Sequence, residues 1–238
     1  MGEVRVGRAG DIPRSIAFYV AFYLGTLPYL ALAFAALAIG EHAFQRIVLS
    51  WSRYHRACLR LLLGIRVEMR GAIPAPGALV AMKHESFFEA IDQPVLFGNA
   101  VVLAKAELLR IPLWGRAAKA YGLIPIERDQ GAKALRAMLA TARTRSQEGR
   151  RLVIFPEGTR VPHGQRPALQ AGFTGLYKML GLPVVPVAVD SGPYYHRWWK
   201  RAGTITIAFG EPIPPGLPRP EIEARVREAI NVLNRKGD

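Results

Sequence analysis

A histidine is followed five positions later by a carboxylate in the run Lys83-His84-Glu85-Ser86-Phe87-Phe88-Glu89. An unperturbed histidine titrates near pH ~6.5, so it can accept a proton at neutral pH. To work as a general base it needs its other ring nitrogen held, usually by a carboxylate. In one continuous helix, residues five apart point roughly 140° away from each other. His84 and Glu89 therefore meet only if His84 lies on a turn and Glu89 in the first helical turn. Ser86-Phe87-Phe88-Glu89 also matches a capping box, Ser86 as cap and Glu89 reaching back. The two roles are compatible, and spacing does not choose between them. His84-Glu85 begins like a zinc-protease helix, but Phe88 stands where the second histidine belongs, which sets that reading aside.

Three further segments place polar groups at the ends of apolar runs. In Phe155-Pro156-Glu157-Gly158-Thr159-Arg160, Gly158 permits close backbone approach to a ligand. Thr159 and Arg160 can hold phosphate oxygens there, the arginine as a fork. The plainer reading is a strand-end turn with a Glu157–Arg160 surface pair. Gly122-Leu123-Ile124-Pro125-Ile126-Glu127-Arg128 delivers Arg128 in the same way. Val184-Val185-Pro186-Val187-Ala188-Val189 carries a proline inside, which removes a ladder donor and suggests a sheet edge or an opened wall.

These segments need a scaffold, and the pattern from about residue 65 supplies one. Apolar runs at 65–69, 78–82, 100–104, 123–126, 152–155, 184–189 and 204–209 read as strands. Helix-like stretches lie at 86–97, 106–121, 132–148, 169–180 and 219–233. The alternation predicts an α/β domain with a mostly parallel central sheet flanked by helices, whose sites lie at the carboxyl ends of strands. The Pro-rich stretch 212–220 reads as a turn before the last helix.

The N-terminal part differs. Residues 16–40 carry no charge, and as a helix of about 25 residues would reach roughly 37 Å, enough for a hydrocarbon core of about 30 Å. Gly25 and Pro28 permit a kink or a break into a helix pair. A membrane anchor is expected; a signal peptide is the rival, against which the apolar run is too long. In residues 41–63, Arg46, Arg53, Arg56 and Arg60 fall within roughly 80° of a helical wheel, opposite Phe44, Ile47, Val48, Trp51, Cys58 and Leu62. That is a basic amphipathic helix, suited to an anionic membrane interface or to packing with its arginines in water. The expected division is therefore 1–63 as anchor and amphipathic helix, and 64–238 as catalytic domain.

Composition agrees with an anionic partner. Lys+Arg is 32 against 18 Asp+Glu, a net charge of +14, which draws the chain to nucleic acid, phospholipid or phosphorylated substrates. No nucleic-acid-binding signature accompanies the charge, and the uncharged N-terminal run argues against nucleic acid. The single cysteine, Cys58, excludes an internal disulfide and reads as packing.

Taken in order, His84…Glu89, Gly122–Arg128, Phe155–Arg160 and Val184–Val189 resemble the motifs of the glycerolipid acyltransferases, the family of the lysophosphatidic acid acyltransferases. The resemblance covers about residues 60–210. It implies that Glu89 orients His84 and that His84 takes the proton from an acceptor hydroxyl as it attacks a thioester. By the same resemblance, Arg128, Glu157, Gly158, Thr159 and Arg160 bind the acceptor, with Lys105 or backbone amides near Gly158 on the oxyanion. It implies no metal and no cofactor, acyl-CoA or acyl carrier protein as co-substrate, lysophosphatidic acid as acceptor with lyso-ornithine lipid as the alternative, and phosphatidic acid as product. It also implies a phospholipid membrane as partner, at the cytoplasmic face of the inner (plasma) membrane. Two positions depart from the pattern: Glu89 where aspartate is commonest, and Pro125 where an aromatic is usual.

Overall fold

A computed structural model of the chain describes residues 9–126 and 132–234. Seven strands form one sheet in the order β1-β7-β6-β2-β5-β3-β4. They are β1 (Ile65–Arg70), β2 (Leu79–Met82), β3 (Val101–Lys105), β4 (Ile124–Ile126), β5 (Leu152–Ile154), β6 (Val184–Val189) and β7 (Gly203–Phe209). Every pairing is parallel except β6 with β7. The expected mostly parallel α/β architecture is thus present, and each expected strand falls within a residue or so of its place.

Side chains alternate across the sheet, as the strand period of two requires. Val80 and Met82 of β2 join Val153, Val187 and Ile205 in one core. Leu79 and Ala81 join Leu103, Leu152 and Val184 in the other. Helices α1 (Asp11–Ile39), α2 (Glu41–Cys58) and α3 (Phe88–Phe97) lie on the first face. Helices α5 (Ala132–Gln147), α6 (Ala171–Leu180) and α8 (Arg219–Ala229) cover the second. The short helices α4 (Trp114–Tyr121) and α7 (Gly192–Tyr195) complete the chain.

α1 is one uninterrupted helix with Pro28 inside it, not a helix pair. Gly25 serves contact: a side chain there would collide with Tyr54 of α2, whose hydroxyl donates to the Ala21 carbonyl at 2.7 Å. Phe18 and Phe22 of α1 and Cys58 of α2 are buried in the same core as the sheet residues, and Cys58 is a packing residue as expected. Of the four arginines in residues 41–63, three of them on α2, Arg56 does not face outward. It forks onto buried Asp92 of α3 at 2.7 and 2.7 Å, pinning α2 to α3. Burial pushes the Asp92 carboxyl up to about 6, with Arg56 opposing.

Two expectations fail for reasons of proline chemistry. The helix expected over 106–121 is split into a 3-10 turn, Ala106–Arg110, and α4. Pro112 cannot donate to a helix, and Ile111 before it is extended. Pro186 does not mark an edge, since β6 lies between β2 and β7. The β7 ladder covers only Val187–Val189, and beyond it the Pro186 carbonyl accepts the Gly210 amide at 2.9 Å. Pairing resumes at the Val184–Ile213 bridge, so the missing donor of the proline falls at an irregularity between two paired stretches and not at an edge.

Candidate active site

Strand order explains which motifs converge. β2 lies between β6 and β5, so the segments leaving the carboxyl ends of these three strands share one rim. They are Lys83–Phe87, Phe155–Arg160 and Asp190–Gly192. His84 stands on the turn after β2, and Glu89 is the second residue of α3, as the spacing demanded. His84 Nδ1 lies 3.1 Å from Glu89 Oε2. The imidazole stacks on Phe155 at 4.1 Å between centroids, tilted by 23°, and its side chain is 16% exposed. With Nδ1–H donated to the carboxylate, Nε2 is the free acceptor on the exposed edge. It has no protein partner among the described residues.

Capping and orientation turn out to share one oxygen. The Ser86 amide donates to Glu89 Oε2 at 2.9 Å, and the Phe88 amide donates to Ser86 Oγ at 3.1 Å. Glu89 is fully buried. Its other oxygen accepts from the Ser191 hydroxyl, and Ser191 Oγ lies 2.7 Å from Ser86 Oγ. The carboxylate thus has donors on both oxygens, with the His84 ring against one of them.

The Glu157 carboxylate faces inward. It accepts from Lys83 Nζ at 2.6 Å, and both side chains are fully buried. Lys83 also donates to Asn231 Oδ1 at 2.9 Å and the Gln165 carbonyl at 3.1 Å, so all three of its protons have acceptors. Burial pushes the Glu157 carboxyl up, while Lys83 and the His84 amide pull it back. Gly158 has φ +69°, the left-handed region that glycine enters without strain. Its amide closes a turn onto the Phe155 carbonyl at 2.9 Å. Thr159 and Arg160 are exposed at the rim. The Arg160 guanidinium lies over the Phe87 ring at 4.1 Å, a cation–π contact that holds it on the His84 side of the turn. Lys105 is exposed at the end of β3. β5 lies between β3 and β2, so about 10 Å of sheet separates Lys105 from the strand of His84. Arg128 lies outside the described residues.

A second histidine–carboxylate pair adjoins the first. His163 Nδ1 lies 2.9 Å from Glu85 Oε1, and Glu85 accepts the Gly192 amide at 2.8 Å. Burial pushes Glu85 up, and its hydrogen bond to His163 raises that imidazole. Consecutive residues Ser191 and Gly192 thus hold Glu89 and Glu85. Lys83, Ser191 and His163 have no role in the site expected from the sequence, and nothing local marks Ser191 or His163. Lys83 alone had a legible signal, a charge directly after four buried strand residues. Among the described residues no group of three or more His, Cys, Asp or Glu gathers to hold a metal.

The arrangement can take a proton from a hydroxyl at His84 Nε2 and hold an anionic group with Arg160. A family model described as Acyltransferase matches residues 64–190. A relative from Pseudomonas aeruginosa, 1-acyl-sn-glycerol-3-phosphate acyltransferase, is 31% identical over 234 residues, covering 94% of this chain and 87% of that protein. The 1-acyl-sn-glycerol-3-phosphate acyltransferase alpha of Homo sapiens is 31% identical over 232 residues, covering 92% and 81%. The crystal structure of the 1-acyl-sn-glycerophosphate (LPA) acyltransferase from Thermotoga maritima superposes with a TM-score of 0.74 at 19% identity, over 94% of this chain and 96% of that one.

Proposed function

Because the chain belongs to the acyltransferase family and is an O-acyltransferase, we propose that its acceptor is the sn-2 hydroxyl of 1-acylglycerol-3-phosphate. The donor is a thioester, acyl-CoA or acyl carrier protein, and the product is phosphatidic acid for phospholipid synthesis. The observation that carries this reading is the His84–Glu89 contact with Nε2 turned outward, beside an exposed arginine. Its test is an acyl-transfer assay of the purified chain against lysophosphatidate, lyso-ornithine lipid and uncharged monoacylglycerol, with both donors. Preference for lysophosphatidate is expected; equal rates with monoacylglycerol would remove the phosphate from the assignment.

In the proposed mechanism, His84 Nε2 takes the acceptor proton as the oxygen attacks the thioester carbonyl. The tetrahedral intermediate collapses, the C–S bond breaks, and the imidazolium returns its proton to the leaving thiolate. The new ester and a free thiol are the products. Glu89 stabilises the imidazolium, and Ser191 and Ser86 position Glu89. Glu157 fixes the turn through Lys83 and the His84 amide, and Gly158 shapes the approach of the backbone. Thr159, Arg160 and Arg128 are assigned to the acceptor phosphate, and Lys105 to the oxyanion or the donor.

Glu89→Gln separates charge from capping. The amide oxygen can replace Oε2 for Ser86 and His84, and the new NH2 faces Ser191, whose hydroxyl can turn to accept it. Stability should stay within about 1 kcal/mol while turnover falls at least about tenfold. A Gln variant with wild-type turnover would reduce Glu89 to a cap.

Arg160→Ala tests the clamp. Charge-assisted hydrogen bonds contribute about 1.5–3 kcal/mol, so kcat/KM for lysophosphatidate should drop roughly ten- to a hundredfold, mostly through KM. An equal loss on a phosphate-free acceptor would show that Arg160 does not read phosphate.

For the membrane, we propose residues 1–63 as the attaching unit, within a catalytic domain completed by 64–238. α1 is long and apolar enough to cross a bilayer. Yet its Ser15, Phe18, Phe22, Ala33 and Ala36 are buried along its length, while Ile12, Ile16, Val20, Leu24 and Leu27 are exposed opposite. A helix packed on its own domain from end to end supports attachment from one side of the bilayer, with the exposed face in lipid. The proposed location is the cytoplasmic face of the inner membrane.

A further inference from the structure

The segment after α7 carries two tryptophans at the surface. Trp198 is 85% exposed and Trp199 45% exposed, in the run His196-Arg197-Trp198-Trp199-Lys200-Arg201. A tryptophan left this open on a folded domain is unusual, because its large apolar area gains most from leaving water. The segment is not loose. The Tyr19 hydroxyl donates to the Trp198 carbonyl at 2.6 Å, and the Lys200 amide donates to Ser15 Oγ at 2.8 Å. Lys200 is buried, donating to the Tyr195 carbonyl at 2.8 Å with its ammonium 3.8 Å from the Tyr195 ring centroid. The backbone under both indoles is therefore fastened to α1, and the indoles project from a rigid base.

That base continues an apolar surface. Tyr19 stacks on Tyr23 and by helical spacing shares a face with Ile12 and Ile16. Ile12, Ile16 and Tyr23 are exposed. Trp198 is thus joined, through Tyr19, to the exposed face of α1, with the exposed cation Arg197 beside it. Indole rings flanked by arginines are the composition that settles at the headgroup level of anionic bilayers. The continuity of the indoles with the exposed apolar face of α1 favours a bilayer, which covers both at once, over a protein partner.

We propose that Trp198 and Trp199, with Arg197 and Arg201, form an interfacial anchor that seats in the headgroup region of a bilayer containing anionic lipid. It acts as a second point of attachment beside α1. It rests on the reading that the chain works at a membrane, and it adds where the site meets the lipid. Between the tryptophans and Ser191, the hydroxyl that holds Glu89, lies only the short helix α7, whose Tyr195 is buried against Phe18, His55 and Phe88. Seating the indoles would hold the rim of the site against the surface from which a lipid acceptor must come.

The test uses the full chain with phosphatidylcholine vesicles containing phosphatidylglycerol, with and without acyl-chain bromination. Wild type should bind, and bromine should quench its tryptophan emission. Trp198→Phe/Trp199→Phe should still bind and lose most of that quenching. Trp198→Ser/Trp199→Ser should partition at least about tenfold more weakly, the factor that about 1.4 kcal/mol makes. Its rate on a water-soluble short-chain lysophosphatidate in detergent should be unchanged, which shows the fold intact. Trp198→Ser alone, at the more exposed ring, should give part of the loss. Wild-type binding with undiminished quenching in the Phe variant, or partitioning of the Ser variant within twofold of wild type, would overturn the anchor and leave membrane attachment through α1 standing. A wild type that binds no vesicles would overturn both.

Discussion

His84→Ala is expected to lower acyl transfer by at least about a hundredfold, because loss of a positioned general base costs roughly 10²–10⁴-fold. The ring sits at the rim, so little else should change. Its Nδ1 bond to Glu89 disappears, but Glu89 retains the Ser86 amide and the Ser191 hydroxyl. The stacking on Phe155 contributes about 0.5–1.5 kcal/mol, which bounds the loss of stability. Single-turnover rates with saturating acceptor, measured beside a thermal melt, separate the two effects. A variant that folds normally and retains more than about a tenth of the wild-type rate would remove His84 from the chemistry. A rate loss matched by a large melting shift would point to collapse of the turn instead.

The second large effect is on stability. Lys83→Met removes the one charge that, among the described residues, is bonded to the buried Glu157 carboxylate, and it leaves Asn231 Oδ1 and the Gln165 carbonyl with only the Asn234 amide as donor among the described residues. Breaking a buried ion pair from one side costs about 3–5 kcal/mol, because an uncompensated charge stays in a low-dielectric site. For a chain of this size that is a melting shift of roughly 10 °C. Lys83→Met/Glu157→Leu should recover a good part of it, since replacing both partners by apolar groups is often neutral. Recovery in the double variant with activity still low would locate the importance of the pair in the placement of the His84 turn, to which Glu157 is hydrogen-bonded at 3.5 Å. A single variant melting like wild type would mean that the pair contributes no net stability.

Local chemistry in the chain determines a good deal here. Strand and helix positions follow from apolar periodicity, a property of neighbouring residues. The five-residue spacing of His84 and Glu89 already required a turn followed by a helix, and that is how they meet. The Phe155–Arg160 block announced a strand end, and Cys58 announced packing by its apolar neighbours. What the chain order does not contain is strand order. That β6 and β5 flank β2 is settled by which apolar faces cover one another, and only this brings Ser191 to Glu89 across 102 positions and Lys83 to Glu157 across 74. Pro186 shows the same limit: its missing donor argued for an edge, yet a proline is tolerated mid-sheet at an irregularity between two paired stretches. The inward role of the Arg56 side chain, the end-to-end packing of α1 and the fastening of the Trp198 loop to Ser15 and Tyr19 are likewise contacts between distant segments. They arise only when the cores on the two sides of the sheet close.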